Sequence, residues 1–364
     1  MTLLLSARDI AEVLTMADAV SAMEEAFRDL AAGEGVNRPR SHTYVPRPSP
    51  QDESRFYLFK SMDGALPRLG MHGIRMSSDL LAERTVHGER RREKIAAAPG
   101  RKYVGLLMLF SLDTLEPLAI MPDGYLQRMR VGATSALAAR CLARPDVRSA
   151  AVIGSGWQAG AQVSGLFEIF PGIERMRVFS LDPARRAAFA SEWSARLGRR
   201  IDPVESAARA VEGADVVALA TNSQAPVVEA HAIPEGCHVG SIQGREVPDA
   251  LVARADLVVV RERSEPTFWV MGDRVPYEVA RHRSAEHRRP DPGRLVTLGD
   301  ILTGRHPGRP SAQAITLFTG GGGGGSAGLG TQFVAIGALI YRRARERGLG
   351  RELPTEWFLQ DERP

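Results

Sequence analysis

Ala150-Ala151-Val152-Ile153-Gly154-Ser155-Gly156-Trp157-Gln158-Ala159-Gly160 runs from a short apolar strand into spaced glycines and then an alanine-rich helical pattern. A bound pyrophosphate asks three things of such a turn. Gly154 permits the tight turn from strand to helix, Gly156 lets the backbone approach the phosphates without a Cβ, and the small Ala159 lets helix and strand pack closely. The amides at the start of the helix then face the anion. This GxGxxA spacing is weak by itself, and its neighbours decide. Ser149–Ile153 reads as strand, residues 158–170 as helix, and Arg175–Phe179 as the next strand at the βαβ distance. The expectation is a dinucleotide held by Gly154, Ser155, Gly156, Trp157, Gln158 and Ala159; a bare glycine turn in another α/β protein is the plainer reading.

The end of the second strand selects the cofactor, because an acid there binds the ribose 2′-OH and repels a 2′-phosphate. Here the run is Val178-Phe179-Ser180-Leu181-Asp182-Pro183-Ala184-Arg185-Arg186. Ser180 stands where an NAD enzyme would often carry an acid, and Arg185 and Arg186 follow. The pattern favours NADP(H), with NAD(H) as the alternative. Asp182 is the counter-signal, since a shift of two residues puts it on the ribose, and both arginines also suit a solvated helix face.

Composition removes several other classes. Lys and Arg number 47 against 43 Asp and Glu, a net charge of +4, and no basic tract is interleaved with aromatics as a nucleic-acid surface requires. The mixed-sign run Glu89-Arg90-Arg91-Arg92-Glu93-Lys94 reads as an exposed helix face. Cys141 and Cys237 stand outside any CxxC pattern, so neither a disulfide framework nor a metal site is expected. Residues 1–10 carry charge without a cleavable signal pattern, and no run approaches a membrane-spanning length. A cytoplasmic protein with no membrane partner is the expectation.

The 364 residues suffice for two units. Residues 6–32 show helical periodicity, with Ser6 or Asp9 as cap and Val13, Ala17, Val20, Met23 and Phe27 on one buried face. Residues 39–122 read as β-rich, with strands at 56–60, 70–76, Val104–Ser111 and 117–121, interrupted by a polar loop or helix at 82–101. A helix at 132–143 leads into the glycine motif. From 150 to about 299 strands and helices alternate as in a doubly wound sheet, with later strands at 216–220, 238–242 and Leu257–Val260. Six consecutive glycines, Gly320 to Gly325, lack the Lys-Ser/Thr of a P-loop and read as a flexible turn before a final helix at 332–347. The expected fold is α/β: a Rossmann-type doubly wound sheet in residues 132–315, inserted in a mixed α+β substrate-binding and dimerisation unit made of residues 1–131 and 316–364.

Four segments together resemble the ornithine cyclodeaminase and mu-crystallin family. They are Asp123-Gly124-Tyr125-Leu126-Gln127-Arg128-Met129-Arg130-Val131-Gly132-Ala133-Thr134-Ser135-Ala136, the glycine motif at 154–159, Gly213-Ala214-Asp215 with Ala220-Thr221-Asn222-Ser223, and the tail 328–360. The resemblance implies a homodimer paired through the mixed unit, and NAD(P)(H) acting on small amino acids, imines and 2-oxo acids. It also implies a carboxylate clamp of basic residues, which falls on Arg40, Arg75 and Arg130. Guanidinium forks suit that role because they bind a carboxylate bidentately and stay charged. For Arg130 the plainer reading is a helix-start cation, which the helix dipole disfavours without an anion nearby. Thr221 and Asn222 fall at the ribose and nicotinamide.

Two departures bear on the reaction. Cyclodeaminases carry a lysine where Arg75 stands, and arginine orients but does not exchange protons. They place an aspartate where this chain has Gln243, with Glu246 and Asp249 the nearest carboxylates. Both departures weigh against cyclodeamination of ornithine. The expected function is hydride transfer between NAD(P)(H) and a C=N bond next to a carboxylate, as in an imine reductase or amino-acid dehydrogenase. A nearby acid must keep the nitrogen protonated, and the candidates are Asp79, Glu246 and His72. Their plainer readings are an arginine partner, a helix cap and a structural histidine. A cyclodeaminase-type lyase that recycles its cofactor and a non-enzymatic, crystallin-like ligand binder are the alternatives. Pocket walls are expected from residues 79–101 and 268–277, including Phe268, Trp269 and Tyr277.

Overall fold

The computed structural model describes residues 1–86, 88–261, 267–271, 295–320 and 329–362. Two capping boxes open the helical layer. Ser6 with Asp9 closes the start of α1 (Ala7–Val13), and Thr15 with Asp18 that of α2 (Met16–Ala32). Each box satisfies amides that a first helical turn leaves without partners. The single helix expected at 6–32 is therefore two, broken at Leu14 and Thr15. Ala17 is exposed, while Met16, Ala19, Val20, Met23, Ala26 and Phe27 make the buried face.

Among the described residues, one sheet has ten strands. It holds β1 (Thr2–Leu4), β2 (Val36–Asn37), β3 (Ser41–Pro46), β4 (Phe56–Leu66), β5 (Met71–Val86), β6 (Glu89–Ile95), β7 (Val104–Ser111) and β8 (Pro117–Pro122), joined by Thr267–Val270 and Arg351–Leu353 from later in the chain. The long antiparallel β4–β5 pair is its spine, and β6 folds back along the far half of β5. The polar loop or helix expected at 82–101 is thus a hairpin, and the mixed-sign run lies on a strand. Cross-strand ion pairs explain how so charged a segment stays extended: Glu83 on β5 meets both Arg90 and Arg92 on β6.

The second sheet is parallel throughout and has eight strands among the described residues. These are β9 (Ser149–Ile153), β10 (Arg175–Phe179), β11 (Ile201–Pro203), β12 (Val216–Leu219), β13 (His238–Ser241) and β14 (Leu257–Val260), with Val296–Thr297 and Thr316–Thr319. The order is β11, β10, β9, β12, β13, Thr316–Thr319, β14, Val296–Thr297. All five β9 residues are buried, as expected of a strand covered on both faces. Two boundaries of the sequence division move. Thr316–Thr319 sits between β13 and β14, so the chain returns to the first unit only after it, and Thr267–Val270 pairs with β3 of the first sheet.

A helix, α3 (Gly124–Leu142), joins the sheets and packs on α4 (Trp157–Ile169). It starts eight residues before the expected Gly132. That glycine serves close approach instead: a Cβ on it would lie 2.5 Å from the Ala161 carbonyl oxygen of α4. Arg130 consequently lies inside a helix, not at its start. The C-terminal helix, Gly330–Glu346, returns to the first unit and buries Phe333, Val334, Ile336 and Ile340 in a core shared with α2, α3 and the first sheet. Gly321 to Gly325 of the glycine run, and Tyr277, lie outside the described residues. Among those described, Cys141 and Cys237 are free, no helix is long and apolar enough to cross a membrane, and no group of three metal-ligating side chains occurs.

Candidate active site

The strand order reverses between β9 and β12, and ligands of open α/β sheets bind in the crevice outside the strand ends at such a point. Gly154 occupies it with φ of +121°, its amide 2.7 Å from the Phe179 carbonyl. A Cβ there would stand 2.4 Å from the Ala220 carbonyl oxygen, so both conformation and space demand glycine. Gly156 is the N-cap of α4; no side chain caps the helix, its first turn holds no acid, and a Cβ on Gly156 would meet nothing within 4 Å. Open space in front of uncapped amides fits a pyrophosphate. Ala159 is fully buried beneath the turn. Ser155 Oγ donates to Ser180 Oγ at 2.8 Å, and Gln158 donates to Gln127 at 2.9 Å, tying α4 to α3.

At the end of β10 the candidate ribose residues separate. Asp182 is the N-cap of α5 (Pro183–Leu197) and accepts from the Arg185 amide at 3.0 Å. Arg185 is exposed at the cleft wall, whereas Arg186 turns back over the Phe179 ring at 5.4 Å and donates to the Ser180 carbonyl. Trp157 is 58% exposed, and the buried guanidinium of Arg128 lies 4.1 Å from its ring and 5.0 Å from that of Trp193. Sequence reasoning passed over Arg128, although it stands two residues before Arg130.

From this cradle a cleft of about 1450 Å³ reaches the first sheet, where Arg75, Ser77 and Asp79 line it from alternate positions of β5. Arg75 Nε donates to Asp123 Oδ2 at 2.6 Å. Asp123 is seated by Gly105, whose Cβ would fall 2.0 Å from its Oδ1. The Phe333 ring lies 4.8 Å from the Arg130 guanidinium and 5.6 Å from that of Arg75. Arg130 donates to Gln332 Oε1 at 3.1 Å, and its buried Nε has no partner among the described residues. Burial, followed by repulsion from Arg261, Arg75 and Arg40, lowers the proton affinity of Arg130, and Asp123 opposes them. Burial and then Arg75 bring Arg40 down to about 10. Of the expected clamp, Arg75 lines the cleft and Arg130 shares the Phe333 ring with it, while Arg40 and Arg261, which the sequence reading did not single out, do not line the cleft and act on Arg130 through their charge. An anion among them would relieve the repulsion.

Of the proposed acids, Asp79 pairs with lysines, not an arginine. Lys60 and Lys94 each lie 2.8 Å from it, and Ser77 donates at 3.0 Å. Burial alone would raise its pKa, but the two ammonium groups hold it well below the usual carboxylate range. Burial and repulsion from Lys94 bring Lys60 down to about 7 against the attraction of Asp79. Lys94 reaches the cleft. Both lysines were missed, yet Lys60 had a signal: it shares the inward parity of β4 with Phe56, Leu58 and Met62.

Glu246 does not cap a helix. It is fully buried behind the cleft, accepting from the Thr221 amide and from Ser241 Oγ at 3.0 Å; burial raises its pKa to about 7 against those hydrogen bonds. Gln243 donates to the Thr221 and Ser223 carbonyls at 3.0 and 3.1 Å. The two side chains thus brace the turn that presents Thr221 and Asn222 to the cleft. That turn also meets the first sheet: the Arg92 amide donates to the Asn222 carbonyl at 3.4 Å, and the Gln224 amide to the Arg90 carbonyl at 2.9 Å. His72 lies on the other face of β5 from Arg75, 3.5 Å from Asp63, and takes no part in the cleft.

Known proteins resemble this chain in sequence and fold. A solved Delta(1)-pyrroline-2-carboxylate reductase of Thermococcus litoralis, in complex with NADH and L-proline, superposes with a TM-score of 0.74 at 26% identity, covering 97% of this chain and 100% of that one. A Delta(1)-pyrroline-2-carboxylate reductase of Bacillus cereus is 29% identical over 261 residues, 70% of this chain and 75% of the relative. An ornithine cyclodeaminase of Agrobacterium fabrum is 27% identical over 356 residues, 93% and 91% of the two chains. The sequence model of the ornithine cyclodeaminase/mu-crystallin family matches residues 1–348. With glycine turn, doubly wound sheet and sequence match in agreement, the chain belongs to the ornithine cyclodeaminase/mu-crystallin family.

Proposed function

We propose that this protein is an NAD(P)H-dependent oxidoreductase that reduces a C=N bond next to a carboxylate, or oxidises a small amino acid in the reverse direction. The observation that carries the reading is one continuous cleft with the glycine cradle at one end and Arg75 at the other, where Arg130 shares the Phe333 ring. A reduced dinucleotide held at Gly154, Gly156 and the start of α4 would supply a hydride to the C=N carbon, with the nitrogen taking up the π electron pair. Arg75 and Arg130 hold the carboxylate, and their burial strengthens its charge-assisted hydrogen bonds. Asp79 is held ionised and does not serve as the acid. It keeps a proton-bearing lysine pair at the cleft, and Lys94 delivers the proton that keeps the substrate nitrogen charged. Lys60 shares the Asp79 carboxylate with Lys94 and so fixes its position.

NADP(H) is the proposed preference: Ser180 leaves the strand end without a carboxylate, Asp182 is engaged as a helix cap, and Arg185 stands exposed at the wall. A homodimer paired through the first sheet and a cytoplasmic location complete the proposal; sedimentation and cell fractionation test them. The function itself is tested by NADPH consumption with 2-oxo acids plus amines and with cyclic imino acids. Conversion of ornithine to proline and ammonia with NADP+ and no net NADPH would overturn the reading in favour of a lyase.

A further inference from the structure

Helix α3 begins with an aspartate that does not cap it. Asp123 stands at the N-cap with a backbone that is already helical, φ −84° and ψ −15°, and its side chain accepts nothing from the first turn. A capping residue is extended there and satisfies an amide that the helix start leaves without a partner. The carboxylate turns to Arg75 of β5 instead: Oδ2 accepts from Nε at 2.6 Å and lies 2.5 Å from Nη2. Both residues are buried and both line the cleft. Gly105 of β7 makes the arrangement possible, because a Cβ on it would fall 2.0 Å from Asp123 Oδ1. The Gly105 carbonyl also accepts from the Asp123 amide at 3.0 Å, so backbone and carboxylate are both fixed. A guanidinium presents its N–H donors in one planar fork. With the edge formed by Nε and Nη2 given to Asp123, the edge formed by Nη1 and the second N–H of Nη2 remains for an incoming carboxylate. A buried ion pair stabilises a fold little more than apolar side chains of the same size would, so this pair is better explained by what it orients.

We propose that Asp123 is a positioning residue for the substrate carboxylate: it fixes the plane of the Arg75 guanidinium so that the remaining edge meets that carboxylate. The proposal rests on the imine-reductase reading for the identity of the ligand, a carboxylate next to a C=N bond. What Asp123 supplies is geometry and not charge. A long side chain held beforehand in its binding rotamer loses less freedom when the ligand arrives.

The test separates geometry from charge. Calorimetry of the protein with NADP+ measures the affinity for pyruvate and 2-oxobutyrate, and NADPH affinity is measured beside it. Asp123→Asn keeps an oxygen acceptor on Arg75 and should hold oxo-acid affinity within about threefold, whereas Asp123→Glu keeps the charge but moves the oxygens and should lose about tenfold. NADPH affinity should stay unchanged in both. The reverse order, Glu tolerated and Asn not, would show that charge is what matters and overturn the proposal, as would equal affinities in all three proteins. The double variant Arg75→Met with Asp123→Ser removes the ion pair. It should melt no lower than the parent while losing oxo-acid affinity by about tenfold. A melting temperature well below the parent's would make the pair a strut of the fold and overturn its positioning role. An unaltered protein that binds no oxo acid overturns the assignment as well. One that binds oxo acids in the expected order but reduces no imine overturns the reaction instead, so the two failures are distinct.

Discussion

The two ends of the cleft are built by opposite means. At the cradle, the proposed recognition rests on backbone: Gly154 in a left-handed turn, open space at Gly156, and amides at the start of α4. At the substrate end it rests on charged side chains buried at a cost, Arg75 and Arg130 beside Phe333 and Asp79 between two lysines. A backbone site tolerates little change of shape, whereas a charged site tolerates little change of charge.

The largest effect is expected at the charged end. Arg130→Ala should weaken carboxylate binding and lower kcat/KM by about a thousandfold, roughly 4 kcal/mol, measured by calorimetry and steady-state kinetics. A loss under tenfold would mean that Arg130 does not contact the carboxylate, and the contrast between the ends would shrink. Next comes Glu246, the buried carboxyl behind the cradle. Its pKa rises from 4.5 to about 7 on folding, so the folded state binds the extra proton between those values. The stability it contributes is present below 4.5 and is lost as pH rises through 7. Glu246→Gln should abolish that decline, separating from the parent above pH 7 by roughly 3 kcal/mol in denaturant melts.

At the cradle, Gly154→Ala should destabilise by roughly 2 kcal/mol, through its positive φ and the approach to Ala220, and raise the cofactor Kd more than the substrate KM. Equal effects on both constants would show that the ends are not separable. The smallest change is expected for Arg185→Ala: a selective loss of NADPH over NADH affinity by about tenfold, near 1.4 kcal/mol, because an exposed charge contributes little. An unchanged NADPH to NADH ratio would remove Arg185 from the phosphate site.

The same contrast governs what the sequence disclosed. The cradle is local, and β9, β10 and β14 fall at their expected bounds because strand, glycine turn and helix are contiguous. The charged end is assembled from β4, β5, β6, α3 and the end of β14, so no short window contains it. Arg75 and Arg130 were reachable through family likeness, and Lys60 through its inward parity on β4. Lys94 was hidden because a run of charges on a strand looks like a solvated helix until its cross-strand partners are known. Arg261 carried no signal beyond its place after an apolar run. Glu246 was singled out as a candidate acid because it stands near the place of the family's aspartate; the fold buries it behind the cleft, where its hydrogen bonds to Thr221 and Ser241 brace a turn.

The bonds from Arg90 and Arg92 to Gln224 and Asn222 span the cleft like a beam. Lys94 rides on the same strand, two residues beyond Arg92, with its ammonium on Asp79. The strand that places Lys94 at the cleft is thus the one bonded to the turn that presents Thr221 and Asn222, so the position of the ammonium and the position of that turn are set together.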